Sequence, residues 1–160
     1  MSVFDSIYYY LQLYINYNNN KIYKVNNNNG CDMEFNRNEL EYLKLFKELD
    51  CELIVRFTPK IKMSKSIIEN RILKIKDSIR YKGFGIKGYI VEDYGKVSYL
   101  HYHGIIKLVK GDGDLFVEEF NRIIDRFGFN GFIEESKGGY EEYMVSKLRN
   151  SNYWVELWES

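Results

Sequence analysis

The sequence predicts an α+β fold, a central antiparallel β-sheet with helices packed on it. Three observations carry this. Residues 51–57, 84–92, 99–109 and 129–134 are short runs rich in β-branched and aromatic side chains, the composition of buried strands. Between them lie longer runs whose apolar residues recur every three or four positions, the period of an amphipathic helix. Two of the strands follow each other with only residues 93–98 between them, so the chain contains a hairpin and reads β-α-β-β-α-β-α.

Taken in order, Asn36 with Glu39 forms a capping box, and Leu40, Leu43, Phe46 and Leu49 mark one face of the helix that follows, up to Asp50. Residues 51–57 form a strand that Thr58-Pro59-Lys60 ends. Ser64 is placed to cap a second helix with the stripe Ile68, Ile72, Ile75 and Ile79. The hairpin comes next. Gly111-Asp112-Gly113-Asp114 then leads into a helix over residues 115–127 carrying Phe116, Phe120, Ile123 and Phe127, which Gly128 closes. A strand at 129–134 and a helix at 139–149 complete the pattern. This order is close to the ferredoxin/RRM-like layout, with helices on one sheet face and the other face free for a site.

Residues 1–34 differ from the rest and read as an N-terminal extension. Residues 3–15 are apolar and tyrosine-rich and can form a short helix; two asparagine tracts follow, with residues 21–25 between them as a short edge strand. Residues 35–160 are read as the folded domain.

Formal net charge is zero, which excludes a broadly basic nucleic-acid binder; a polyanion site must be a local patch. The aromatic fraction of 17% is dominated by tyrosine and supplies stacking surfaces for such a patch. Cys31 and Cys51 lack metal-ligand spacing, and free thiols in a reducing compartment are the default. There is no signal-peptide pattern or apolar run of membrane-spanning length, so an intracellular protein without a membrane partner is expected.

The chain has two histidines, His101 and His103, both on one predicted strand. Side chains alternate along a strand, so both rings project from one face, about 7 Å apart along the chain. Two converging imidazoles are a divalent-cation motif. A carboxylate should complete the set. With residues 93–98 as the hairpin loop, Glu92 lies opposite Tyr99, on the histidine face and diagonal to His101, while Asp93 points the other way. Glu92, His101 and His103 are therefore the expected ligands, for Mn²⁺ or Mg²⁺ with Zn²⁺ as the alternative, leaving open positions for phosphate oxygens.

On the last helix Tyr143 and Lys147 are one turn apart, and Tyr140 shares their face. A tyrosine hydroxyl can attack phosphorus, and a lysine one turn on can stabilise the charge that develops.

These segments together resemble the HUH endonucleases, specifically the rolling-circle replication initiator (Rep) proteins of small DNA viruses and plasmids. Leu53-Ile54-Val55-Arg56-Phe57-Thr58-Pro59-Lys60 is similar to the family's first motif, His101-Tyr102-His103 to the HUH motif, and Tyr143-Met144-Val145-Ser146-Lys147 to the third motif in its parvoviral spacing. The match spans about residues 51–150. In this chain the first motif is shortened, with no residue between Thr58 and Pro59, and the residue between the histidines is the bulky Tyr102.

The resemblance implies a metal-dependent, sequence-specific single-stranded DNA endonuclease with strand-joining activity. It would nick an origin stem-loop through a 5′-phosphotyrosine intermediate, with Tyr143 and Lys147 catalytic. Arg56, Thr58, Lys60, Lys62 and Tyr140 would contact DNA. A helicase domain or host replication factors are implied partners, in the host nucleus for a viral protein and in the cytoplasm or an organelle for a plasmid-borne one. Two other functions compete: a single-tyrosine HUH transposase, and a non-catalytic single-strand-binding module that needs no metal.

Overall fold

A computed structural model describes residues 22–26, 32–94, 100–148 and 155–159. Strands β1 (Ile22–Asn26) and β2 (Asp32–Asn36) form a two-stranded antiparallel sheet. Then come α1 (Arg37–Glu48), β3 (Leu53–Pro59), α2 (Lys65–Tyr81), β4 (Gly85–Tyr94), β5 (Leu100–Lys110), α3 (Gly113–Arg126), β6 (Phe129–Glu135), α4 (Tyr140–Leu148) and β7 (Val155–Glu159). Five of the strands make one antiparallel sheet in the order β6-β3-β5-β4-β7. The α+β antiparallel architecture is as the sequence predicts.

The local signals act as their chemistry requires. The Asn36 side chain accepts from the Glu39 amide, and the Glu39 carboxylate accepts from the Asn36 amide, closing the capping box of α1. Asp112 caps α3 through the Leu115 amide, and Gly128 takes a φ of 85° beyond its end. Ser64 stands at the N-cap of α2 but makes no capping bond; its hydroxyl pairs with Ser66. The predicted short helix at 3–15, the asparagines at 18–20 and 27–29 and Cys31 lie outside the described residues, whereas Asn26 ends β1.

Strand alternation sorts the core into two layers. Val55, Phe57, Ile86, Ile90, Tyr102 and Ile106 face α2 and α3, whose buried stripes include Ile68, Ile72, Ile75 and Ile79 and Phe116, Phe120 and Ile123. Ile54, Val91 and Ile105 face the other way, against Leu43 and Phe46 of α1 and Met144, Val145 and Leu148 of α4. Helices therefore cover both faces, not one as the sequence predicts. An amphipathic stripe states that a helix buries one side; it does not state which sheet face receives it. His101 and His103 lie on this second face, beside α4.

Candidate functional site

The site is built by the β4–β5 ladder. His103 pairs with Val91, Tyr102 with Glu92, and His101 with Asp93. Directly paired residues in an antiparallel ladder share a face. The register thus puts Asp93, His101 and His103 together on the α4 side. Glu92 lies on the opposite face beside Tyr102, in the layer that packs on α2 and α3.

This corrects the expected candidate set: Glu92 lies away from the histidines, and Asp93 stands beside them in its place. The physical reason is parity. Strand β4 runs on to Tyr94, so residues 95–99 join the strands instead of 93–98. Shortening a hairpin loop by one residue flips every side chain of one strand relative to the other. Glu92 is nonetheless buried, and its Oε2 has no hydrogen bond among the described residues.

Asp93 Oδ2 stands 3.1 Å from His101 Nε2 and 3.4 Å from His103 Nε2. One ligand atom from each of the three residues lies within 4.8 Å of the others. Donors about 2.1 Å from a common ion sit about 3.0 Å apart in octahedral geometry and about 3.4 Å apart in tetrahedral geometry. The two distances from Asp93 fall at these values. His103 Nε2 is buried and makes no hydrogen bond among the described residues. Its other ring nitrogen, Nδ1, is 3.0 Å from the Tyr140 hydroxyl. A proton on Nδ1 donates to that oxygen and leaves the Nε2 lone pair directed at the Asp93 carboxylate, an arrangement that a cation between them satisfies. The residues present fit a divalent ion.

Burial, the neighbouring His101, and the Arg56 and Lys147 cations push the His103 imidazole down to about 4 from 6.5, against the pull of Asp93. Burial, and then the neighbouring Tyr143 phenol, raise Tyr140 above its ordinary value, so it stays a neutral phenol. Tyr140 is thereby a partner for His103 and a poor nucleophile. Tyr140→Phe is expected to lower metal affinity by about 10- to 100-fold, read by calorimetric titration with Mn²⁺.

The low His103 value carries a stability consequence. Folding resists protonation of this ring, so the unfolded chain binds the extra proton between pH 6.5 and about 4. The stability is fully present above pH 6.5 and is lost as pH falls towards 4. In chelator, a loss of up to roughly 3 kcal/mol between pH 7.5 and 4.5 is expected from urea unfolding, with a shallower slope in His103→Asn.

Helix α4 brings Tyr143 beside His103. Met144, Val145 and Leu148 seat it on α1 and the sheet, and the buried Glu142 pairs with Lys47 of α1 at 2.7 Å. The Tyr143 ring meets the His103 ring edge-on at 5.1 Å, and Tyr143 is 38% exposed, so the phenol is open to a substrate. Lys147 Nζ lies 5.0 Å from the centre of the Tyr143 ring and 3.2 Å from Asp93 Oδ2. Burial alone would lower the Lys147 ammonium, but the hydrogen bond to Asp93 and the nearby Tyr143 outweigh it, and its pKa sits above the ordinary value. Lys147 is a fixed cation at this site.

The predicted DNA contacts divide. Arg56 pairs with His103 across β3–β5 and faces the site. Thr58 lies on the same strand face, opposite Asn130. Lys60 does not join them: its ammonium binds Asp125 of α3, on the other side of the sheet. Lys62 is in the exposed segment before α2. Phe132 and Glu134, which the sequence reading did not single out, line the cleft beside Arg56 and Tyr143. Cys51 is half-buried, and burial with the Glu141 charge pushes its thiol up to about 11, which removes it as a nucleophile.

No protein-family model matches this chain, and no curated protein matches it. Among solved structures, the chain is similar to the hypothetical protein ORF119 from Sulfolobus islandicus rod-shaped virus 1, with a TM-score of 0.45 and 14% identity over 72% of this chain and 97% of that one.

Proposed function

We propose that this protein is a metal-dependent single-stranded DNA nicking and joining enzyme of the HUH type, an initiator of rolling-circle replication with Tyr143 as nucleophile. The observation that carries the reading is a single one: a two-histidine, one-carboxylate set with ligand-like spacing lies against an accessible tyrosine that has a fixed cation one helical turn away.

Asp93, His101 and His103 would hold Mn²⁺ or Mg²⁺, which supplies Lewis-acid withdrawal of charge from the scissile phosphate. The remaining chemistry belongs to the chain. Tyr143 Oη loses its proton to solvent and forms a bond to phosphorus, and the bond from phosphorus to the upstream 3′-oxygen breaks. That oxygen takes a proton from solvent, leaving a free 3′-hydroxyl and a 5′-phosphotyrosine. Lys147, held as an ammonium, stabilises the phenolate and the phosphoryl charge; it does not act as the base. The covalent link keeps the phosphodiester energy, so attack by a 3′-hydroxyl rejoins strands without a nucleotide cofactor.

The test is a 3′-labelled stem-loop oligonucleotide incubated with protein and Mn²⁺. A denaturant-resistant labelled adduct, absent with chelator and absent in Tyr143→Phe, is expected. Binding without any adduct across a panel of origin-like stem-loops overturns the enzyme in favour of a single-strand-binding module.

A further inference from the structure

Beside the metal ligands is an open cleft of about 330 Å³, bounded by β3, β6 and the start of α4. That is the lower end of the size range of small-molecule sites and suits one nucleotide unit. Its floor is a row of side chains across three strands. Phe132 of β6 pairs with Arg56 of β3, and Arg56 pairs with His103 of β5. Adjacent strands are about 4.8 Å apart, so the Phe132 backbone sits about 10 Å from that of His103 across the sheet. That is one to two nucleotide steps from a phosphate held there.

Phe132 is 44% exposed, a bare aromatic face at the mouth of the cleft. Glu134 lies two residues along β6 on the same face, diagonal to Arg56. Arg56 and Glu134 are both exposed, and neither makes a side-chain hydrogen bond or ion pair among the described residues. Gly138 and Gly139, with φ of 85° and 79°, turn the chain from β6 into α4, a backbone path that side-chain-bearing residues resist.

A cation and a carboxylate flanking one aromatic platform define a base by its edges. Guanine alone presents two adjacent donors, N1–H and the N2 amine, to a carboxylate. It also offers O6 and N7 as acceptors to a guanidinium. We propose that this cleft is a guanine-reading subsite for a nucleotide next to the scissile phosphate, with Phe132 stacking on the base, Glu134 accepting from N1 and N2, and Arg56 donating to O6 and N7. The inference rests on the reading that the site handles single-stranded DNA, and it adds the base that the site selects.

The experiment uses Tyr143→Phe protein, so that cleavage does not enter, and fluorescence anisotropy with a thymidine dodecamer carrying one central guanine. Flanking thymidines let the strand slide until the guanine is seated. Binding about tenfold tighter than to the all-thymidine strand is expected, with most of the gain lost for inosine, which lacks the N2 amine, and for 7-deazaguanine, which lacks N7. Glu134→Gln should erase the difference between guanine and inosine, and Phe132→Ala should weaken every strand while the protein stays folded. Equal binding of guanine and thymidine strands overturns the subsite, as does a guanine preference unchanged in Glu134→Gln. The two readings fail separately. A covalent adduct with no guanine preference removes the subsite and leaves the nuclease. A guanine preference that depends on Glu134, without any adduct, keeps the subsite and removes the nuclease.

Discussion

Replacing Asp93 with Asn is expected to lower Mn²⁺ affinity by about 100-fold or more, while Glu92→Gln leaves it within about twofold. The two acids are neighbours in sequence and both are buried, yet they lie on opposite faces of β4. Asp93 Oδ2 sits 3.1 and 3.4 Å from the two Nε2 atoms, and its loss removes the only anionic ligand of the three-residue set. The amide that replaces it is neutral and a weak ligand for a hard cation. Isothermal titration with Mn²⁺, with folding checked by circular dichroism, separates the cases. If instead Glu92→Gln lost the metal and Asp93→Asn kept it, the hairpin register described here would be wrong.

That pair of variants also marks where the sequence stops being legible. Helices α1, α2 and α3 could be read because each carries an i, i+3, i+4 stripe and turn or cap residues at its ends, and all of that information is local. The pairing of His101 with His103 could be read because alternation along one strand is also local. The third ligand could not. Choosing between Glu92 and Asp93 depends on whether five or six residues join β4 to β5, and element boundaries are the weakest part of any reading from sequence.

The same limit explains Tyr140 and Lys60. Tyr140 shares the helix face of Tyr143, which the spacing shows. That its hydroxyl serves His103 is a contact between elements 37 residues apart, which no spacing shows. Lys60 follows the first motif in sequence, but the chain turns at the end of β3 and delivers its ammonium to Asp125 on α3. Arg56 stays on the site face because it lies within the strand, where alternation fixes its side.

The second large effect is at the proposed nucleophile. Tyr143→Phe is expected to lower the rate of adduct formation by about 10⁴-fold or more, with metal affinity and unfolding midpoint nearly unchanged. Tyr143 is 38% exposed, whereas the buried Met144, Val145 and Leu148 hold the helix in place, so removing the hydroxyl is expected to cost little packing. Tyr140 is not expected to rescue it, because its hydroxyl is bound to His103 and burial keeps it protonated.

Lys147→Met should act differently on two readouts. Nicking falls by about 10² to 10³-fold, since the phenolate and the phosphoryl oxygens lose a fixed cation. Metal affinity is expected to rise by a few fold, because without a cation bound the Lys147 ammonium occupies Asp93 Oδ2 at 3.2 Å and competes for that oxygen. A variant that binds Mn²⁺ more tightly and nicks more slowly would therefore separate the two proposed duties of this lysine, partner of Asp93 in the free protein and partner of Tyr143 in the proposed strand transfer. Weaker Mn²⁺ binding in Lys147→Met would show instead that the lysine positions Asp93 as a ligand, and the competition would be excluded.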